Sequence, residues 1–166
     1  MDDIRKPVGE IAIPTQEKDG RTVLDLDKYA PYYLTSVYNA LSSGASSLYL
    51  NTYGIGIMDW RVLSTIAIEP GIPASRLCEL VALDKAAVSR SLHKLSDLGL
   101  MKFQASPTDP RRKIWTPSEK GYELHARMLD SAIERERLLI EGISPEDFDA
   151  FLRVMRQMWS NVRDMG

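Results

Sequence analysis

A single cysteine, Cys78, in a chain of 166 residues excludes an internal disulfide and suits a reducing compartment. Two histidines far apart in sequence, His93 and His125, fall short of any metal-ligand spacing, so no metal or other cofactor is expected. No apolar run approaches the roughly 18–20 residues that span a bilayer. The first ten residues, MDDIRKPVGE, lack the basic-then-apolar layout of a signal peptide, and a cytoplasmic location is the expectation. No carboxylates paired at helical spacing fall in a likely cleft, and a Gly-rich phosphate loop and a metal set are missing, which argues against an enzyme. Nor is there an excess of one charge: the formal net charge is only −2.

What is present is a hydrophobic fraction of 44%, too high for a disordered chain. Residues 1–26 are polar, carry Pro7, Pro14 and Gly20, and keep no sustained period; they read as a loose N-terminal extension. From Asp27 to about Leu50 the residues Tyr33, Leu34, Val37, Leu41, Ala45 and Leu48 recur at three- and four-residue steps, one face of a long helix. Two glycines, Gly54 and Gly56, break it, and a shorter helix follows from about Met58 until Glu69-Pro70-Gly71.

A tight series of short elements comes next. Pro73 to Val81 reads as a short helix burying Leu77, Cys78, Leu80 and Val81. Asp84 is the expected N-cap of a second helix that runs to about Leu98 and is ended by Gly99. Two helices joined by a short turn are the local signature of a helix-turn-helix. Met101 to Ala105 then alternates as a half-buried strand does, Ser106 to Pro110 is rich in turn formers, and Lys113 to Thr116 returns. A hairpin directly behind a helix-turn-helix is a winged helix.

The last fifty residues are helical. Thr116-Pro-Ser-Glu119 reads as a capping box with Pro117 at the first helical position. Tyr122, Leu124, Met128, Leu129, Ala132, Ile133 and Leu139 form the stripe of one helix. Ser144-Pro145 opens another, striped by Phe148, Phe151, Leu152, Met155, Met158, Trp159 and Val162; its methionines read as core or dimer interface. The expected fold is therefore mainly α with a small β-hairpin wing. A winged helix-turn-helix core (53–116) sits between long terminal dimerisation helices (27–52 and 117–166), whose stripes are too wide for one copy to cover.

At about 100° per residue, Val88, Leu92 and Leu95 share the inner side of the second helix, while Ala86, Arg90, His93 and Asp97 fall opposite, flanked by Ser89 and Lys94. A face that is short-chained or basic near its start suits a recognition helix, with Arg90 able to pair with guanine N7 and O6. From Lys85 to Lys113 there are seven Lys or Arg and two Asp, a local charge of +5 in a chain of −2. Arg111, Arg112 and Lys113 extend that positive surface onto the hairpin tip, from which an arginine can enter the adjacent minor groove.

These segments, LDKAAVSRSLHKLSDLGLM followed by DPRRKIWTPSEKG, resemble the winged-helix core of the MarR family of bacterial transcriptional regulators. Trp60-Arg61-Val62-Leu63 is also similar to many members. The resemblance implies a homodimeric, sequence-specific DNA-binding regulator, a repressor of a pseudo-palindromic operator on double-stranded DNA, relieved by a small effector such as an aromatic acid. It implies that Asp109 holds Arg111 in pose and that Arg111 is the minor-groove residue. It also implies an effector cleft between the dimer helices and the winged module. Tyr38, Trp60 and Arg61 are candidates to line it, with His125 nearby; core packing explains the aromatics equally well, Arg61 can instead pair with an acidic neighbour, and His125, beside the apolar stripe of its helix, reads first as a structural histidine. Peroxide-sensing members resemble one another in placing their cysteine in the first long helix, so Cys78, in the short third one, is expected to be a packing residue. Where the family has Leu-Thr before its glycine, this chain has Pro117-Ser118 before Gly121, and Ser118 can cap as threonine would. A winged-helix module devoted to protein–protein contact is the alternative; the basic outer face counts against it.

Overall fold

The computed structural model describes residues 13–165. The chain divides into two compact units at Ile57/Met58, and the longest element described in the first of these is one helix of 24 residues.

Ahead of that helix, strands β1 (Thr15–Lys18) and β2 (Arg21–Leu24) pair antiparallel, with Lys18 opposite Arg21. The link is Asp19-Gly20, both at positive φ (52° and 70°), the backbone that a two-residue hairpin turn with the right twist demands. The loose extension expected for 1–26 is thus corrected over its second half: an Asp-Gly pair outweighs the weak alternation of its short, exposed strands. Residues 1–12 of that extension lie outside the described residues. Asp25 then accepts the Asp27 amide and the Lys28 ammonium, closing a single 3-10 turn (Leu26–Lys28). Helix α1 (Ala30–Tyr53) carries Pro31 in its first turn and ends on Gly54 at φ 76°, whose amide bonds back to the Leu50 carbonyl. Of its apolar stripe only Ala45 is buried, joined by Tyr49; Tyr33, Leu34, Val37 and Leu48 are exposed.

The second unit opens with α2 (Ile57–Ile68), whose Val62, Leu63 and Ile66 are completely buried. The chain turns at Gly71 (φ 84°) into a two-residue strand, β3 (Ile72–Pro73). Pro73 was expected to lie within the next helix; Ile72 instead pairs with Trp115, and the Gly71 amide donates to the Trp115 carbonyl at 2.8 Å. Helix α3 (Ala74–Val81) follows. Its core positions are Leu77 and Val81, one turn apart, so Leu80 is exposed and Cys78 is half-buried, against the expectation that both are core. Ala82 adopts a left-handed conformation (φ 50°), and Asp84 caps α4 (Lys85–Asp97) by accepting the Ala87 amide at 2.8 Å.

Helix α4 buries Val88, Leu92 and Leu95 as the periodicity dictates, and also Ser91. It ends in a Schellman motif: Gly99, at φ 70°, donates to Ser96, and Leu100 donates to Leu95. Strands β4 (Met101–Ala105) and β5 (Lys113–Pro117) then form the wing hairpin, and the complete sheet has the order β3-β5-β4. Only Met101 of β4 is buried. Phe103 is not a core residue; it lies on the outside against Trp115.

The start of α5 (Glu119–Leu139) is set by the wing. Thr116 and Pro117 stay in the sheet, opposite Lys102 and Met101. The cap is therefore Ser118, which accepts the Gly121 amide at 3.0 Å, and not Thr116 with Pro117 in the first turn. The Ser118 hydroxyl donates onward to the Gly99 carbonyl at 2.7 Å, and its amide bonds the Leu100 carbonyl at 3.0 Å. A Cβ on Gly121 would overlap that Leu100 carbonyl oxygen. Helix α5 buries Gly121, Leu124 and Met128, and its outer stripe, Leu129, Ile133 and Leu139, is exposed. Helix α6 (Pro145–Met165), capped by Ser144 onto the Asp147 amide, buries none of its residues. Among the described residues no helix is long and apolar enough to cross a membrane.

Gly121→Ala is expected to destabilise the fold by about 2–4 kcal/mol, an overpacking cost against rigid backbone. Urea unfolding at matched protein concentration measures it; a loss within about 0.5 kcal/mol, the scale of an ordinary surface substitution, would contradict the close approach.

Candidate nucleic-acid interface

Ala86, Arg90 and His93 stand exposed on the outer side of α4, where the helix period placed them, with Ser89 on its flank and Lys85 at its start also exposed. They hold this side because Val88, Leu92 and Leu95 anchor the opposite one with almost no exposed surface. The guanidinium of Arg90 and the ammonium of Lys85 have no hydrogen-bond or ion-pair partner among the described residues. Such cations keep their full charge for an outside anion.

Between α4 and the wing lies a groove of about 770 Å³. Ser89 and His93 line it from the helix, and Arg111, Arg112 and Lys113 from the wing. The two basic segments, about twenty residues apart in sequence, are thereby brought to one concave face. Cys78 lines the same groove, so the cysteine expected to fill the core instead looks toward this surface.

The wing tip is held by its own hydrogen bonds. Asp109 Oδ1 accepts the backbone amide of Arg111 at 3.1 Å, while Oδ2 pairs with Arg112 Nε at 3.2 Å. The Arg112 amide bonds the Asp109 carbonyl, and the Ser106 amide bonds the Arg112 carbonyl, closing the loop. The support that Asp109 gives Arg111 is thus through the main chain; the ion pair goes to the neighbour, because two residues on is an Asx-turn distance and three on is side-chain reach. The Arg111 guanidinium is left without a partner among the described residues. Lys113 sits with its ammonium 4.0 Å from the centre of the Phe103 ring, which explains an aromatic residue on the outer side of β4.

Three sequence candidates are occupied elsewhere or apart. Lys94 is exposed on α4 but its ammonium lies 2.6 Å from Asp59 of α2. Among the described residues Arg61 has no acidic partner: it donates to the Val81 carbonyl at the end of α3, with the Met58 sulfur beside it. Tyr38 is half-exposed on α1, in the first unit. Trp60 and His125 do come together, ring on ring at 5.1 Å and 24° between planes. The His125 Nε2 is buried without a hydrogen-bond partner, and burial pushes the imidazole below its usual 6.5. Asp59, which no sequence pattern flagged, is a buried carboxylate 35 residues from its lysine; no local period carries that pairing.

Comparison with known proteins agrees with this geometry. Residues 53–112 match the model of the MarR family. A solved MarR/EmrR family transcriptional regulator from Acinetobacter sp. ADP1 superposes with a TM-score of 0.79 at 27% identity, covering 85% of this chain and 99% of that one. The winged-helix segment of the chain is thus similar to the MarR family of transcriptional regulators. The transcriptional regulator HosA of Escherichia coli O111:H- is 26% identical over 100 residues, 60% of this chain and 73% of its own length. The PcaV regulator of Streptomyces coelicolor, solved with its natural ligand, shares the fold at a TM-score of 0.71 and 19% identity over 83% of this chain and 96% of its own. These similarities support a DNA-binding transcriptional regulator.

The His125 environment has a consequence for stability. A histidine whose pKa is lower folded than unfolded takes up a proton on unfolding, so stability is full above 6.5 and declines as the pH falls below it. The melting temperature should drop across that window in the wild type and drop less in His125→Gln. Parallel melting curves for the two proteins would show the histidine to be neutral in effect.

Proposed function

We propose that this protein is a cytoplasmic homodimeric repressor of the MarR family that grips a pseudo-palindromic operator through α4 and the wing, and that a small anionic effector releases it. The observation that carries the reading is the groove: Lys85 of α4 and Arg111 of the wing tip both line it, and neither has a partner among the described residues. On this reading Arg90, with Ser89 and His93 beside it, reaches base edges in the major groove, and the small Ala86 permits close approach. Lys85, Arg112 and Lys113 meet phosphates, and Arg111 enters the minor groove.

Dimerisation is supported by what the single chain leaves uncovered. Helix α6 buries nothing, yet Phe151, Trp159 and Val162 follow one another along its apolar stripe, each about half exposed. The stripe of α1 is likewise open. Soluble monomers rarely expose apolar faces of this extent, and a two-fold partner would cover both. For the effector, Trp60 and the unsatisfied Nε2 of His125 are the groups that support a site, whereas Arg61 has its charge turned to the Val81 carbonyl. Coupling between such a ligand and DNA is reciprocal: a ligand that weakens operator binding must itself bind the DNA complex less well.

Duplexes selected by the protein from a random library, then titrated by fluorescence anisotropy across a salt series, test the DNA reading. Two half-sites about 10 base pairs apart and a steep inverse salt dependence are expected. Arg111→Ala should weaken binding roughly tenfold, in line with the loss of one charged contact in a narrow groove. No binding to any duplex at low salt would move the protein to the protein–protein class.

Val162→Asp combined with Phe151→Asp is expected to convert a dimer to monomer in sedimentation equilibrium and to abolish operator binding. A wild type that sediments as a monomer at micromolar concentration would contradict the dimer.

A further inference from the structure

Three consecutive residues of α2 reach three different helices. The carboxylate of Asp59, its side chain only 10% exposed, pairs with Lys94 of α4 at 2.6 Å. The Trp60 ring stacks on His125 of α5. The guanidinium of Arg61 donates to the carbonyl of Val81, the last residue of α3, directly before the left-handed Ala82 that begins the turn. The helix-turn-helix is therefore held to α2 at two polar points, one on each of its helices.

The two points differ from the apolar packing around them. Val88, Leu92 and Leu95 resist separation of α4 from the core, but an apolar face tolerates small rotations and slides. A charged hydrogen bond to a buried carboxylate does not, since its strength falls steeply with misalignment and an unpaired Asp59 would be a buried charge. Lys94 lies four residues beyond Arg90, one helical turn, so fixing its azimuth fixes the direction in which Arg90 leaves the helix.

We propose that Asp59 and Arg61 form a two-point clamp that sets the pose of the helix-turn-helix on α2, and that Lys94 is a positioning residue and not a DNA contact. The inference rests on the reading that α4 faces the DNA. It carries a distinctive signature. Base readout needs the recognition helix in place to a fraction of an ångström, whereas attraction to phosphates in random DNA does not. Loosening the clamp should cost specificity and leave the general electrostatic attraction alone.

The experiment compares the full-length wild type with Lys94→Met, Lys94→Arg, Asp59→Asn and the double variant Asp59→Asn/Lys94→Met. Arg90→Ala and Arg111→Ala are run alongside as interface controls. Each is titrated by anisotropy against the duplex selected by the wild type and against a random duplex of equal length, over a salt series. Lys94→Met is expected to bind the selected duplex roughly tenfold more weakly, with its affinity for random DNA and its salt slope unchanged. Asp59→Asn should match it, the double variant should be no worse than either, and Lys94→Arg should recover most of the loss. A Lys94→Met protein whose salt slope falls by about 0.9, with both duplexes weakened alike and Asp59→Asn neutral, would identify a phosphate ligand and overturn the clamp. Unchanged binding of the selected duplex by Lys94→Met would overturn it as well. Should Asp59→Asn fail to fold by circular dichroism, the contrast between Lys94→Met and Lys94→Arg still decides. If Arg90→Ala and Arg111→Ala both leave the selected duplex untouched, the interface reading has failed and the clamp falls with it; if they weaken binding while Lys94→Met costs slope, the clamp alone has failed.

Discussion

The carbonyl of Leu100 is where α4, the wing and the helix behind them meet. It accepts the Ser118 amide, and the absence of a side chain at Gly121 lets α5 pass over it. The same few residues end α4 through Gly99, begin β4, end β5 and cap α5. The Lys120 ammonium adds a bond to the Leu98 carbonyl. Because all but the lysine bond are main-chain or short-side-chain contacts, they leave little rotational freedom between α4 and the hairpin. Two basic segments that are remote in sequence can form one concave surface only if that angle is fixed.

On that surface the charges divide by whether the fold has already used them. Lys94 is turned to Asp59, Arg112 to Asp109, and Lys113 rests on the Phe103 ring. Lys85, Arg90 and Arg111 retain no such partner among the described residues. A cation held by a buried carboxylate contributes to geometry, whereas one left in solvent contributes to the field that a polyanion meets. The net charge of −2 hides this arrangement entirely, since it averages a basic face with acidic surroundings.

Much of the apolar surface follows a different logic. Helices α1, α5 and α6 display regular stripes, yet inside one chain these helices bury only Ala45, Tyr49, Gly121, Leu124 and Met128. Periodicity reports which side of a helix seeks an apolar neighbour, not whether that neighbour belongs to the same molecule. Stripes that look like core in a sequence can therefore be interface in the folded chain.

The order of the helices, the cap and stop of α4 and the two wing strands were legible from residue order, because each depends on neighbours within a turn or a tight link. The Asp84 cap, the Gly99 stop and the Met101–Ala105 strand are of this kind. So was the outward side of α4, which three buried residues at helical spacing determine. The Asp19-Gly20 hairpin was equally local but lay in a segment whose polar composition masked it. Beyond local reach stood the Asp59–Lys94 pair, the bond from Arg61 to Val81, the pairing of Ile72 with Trp115, and the start of α5 at Ser118. Each joins elements whose separation in sequence says nothing of their distance in space. Residue order by itself settled which residues face together along one element. Which of the resulting charges would be spent within the fold, and which left in solvent, depended on how the elements packed.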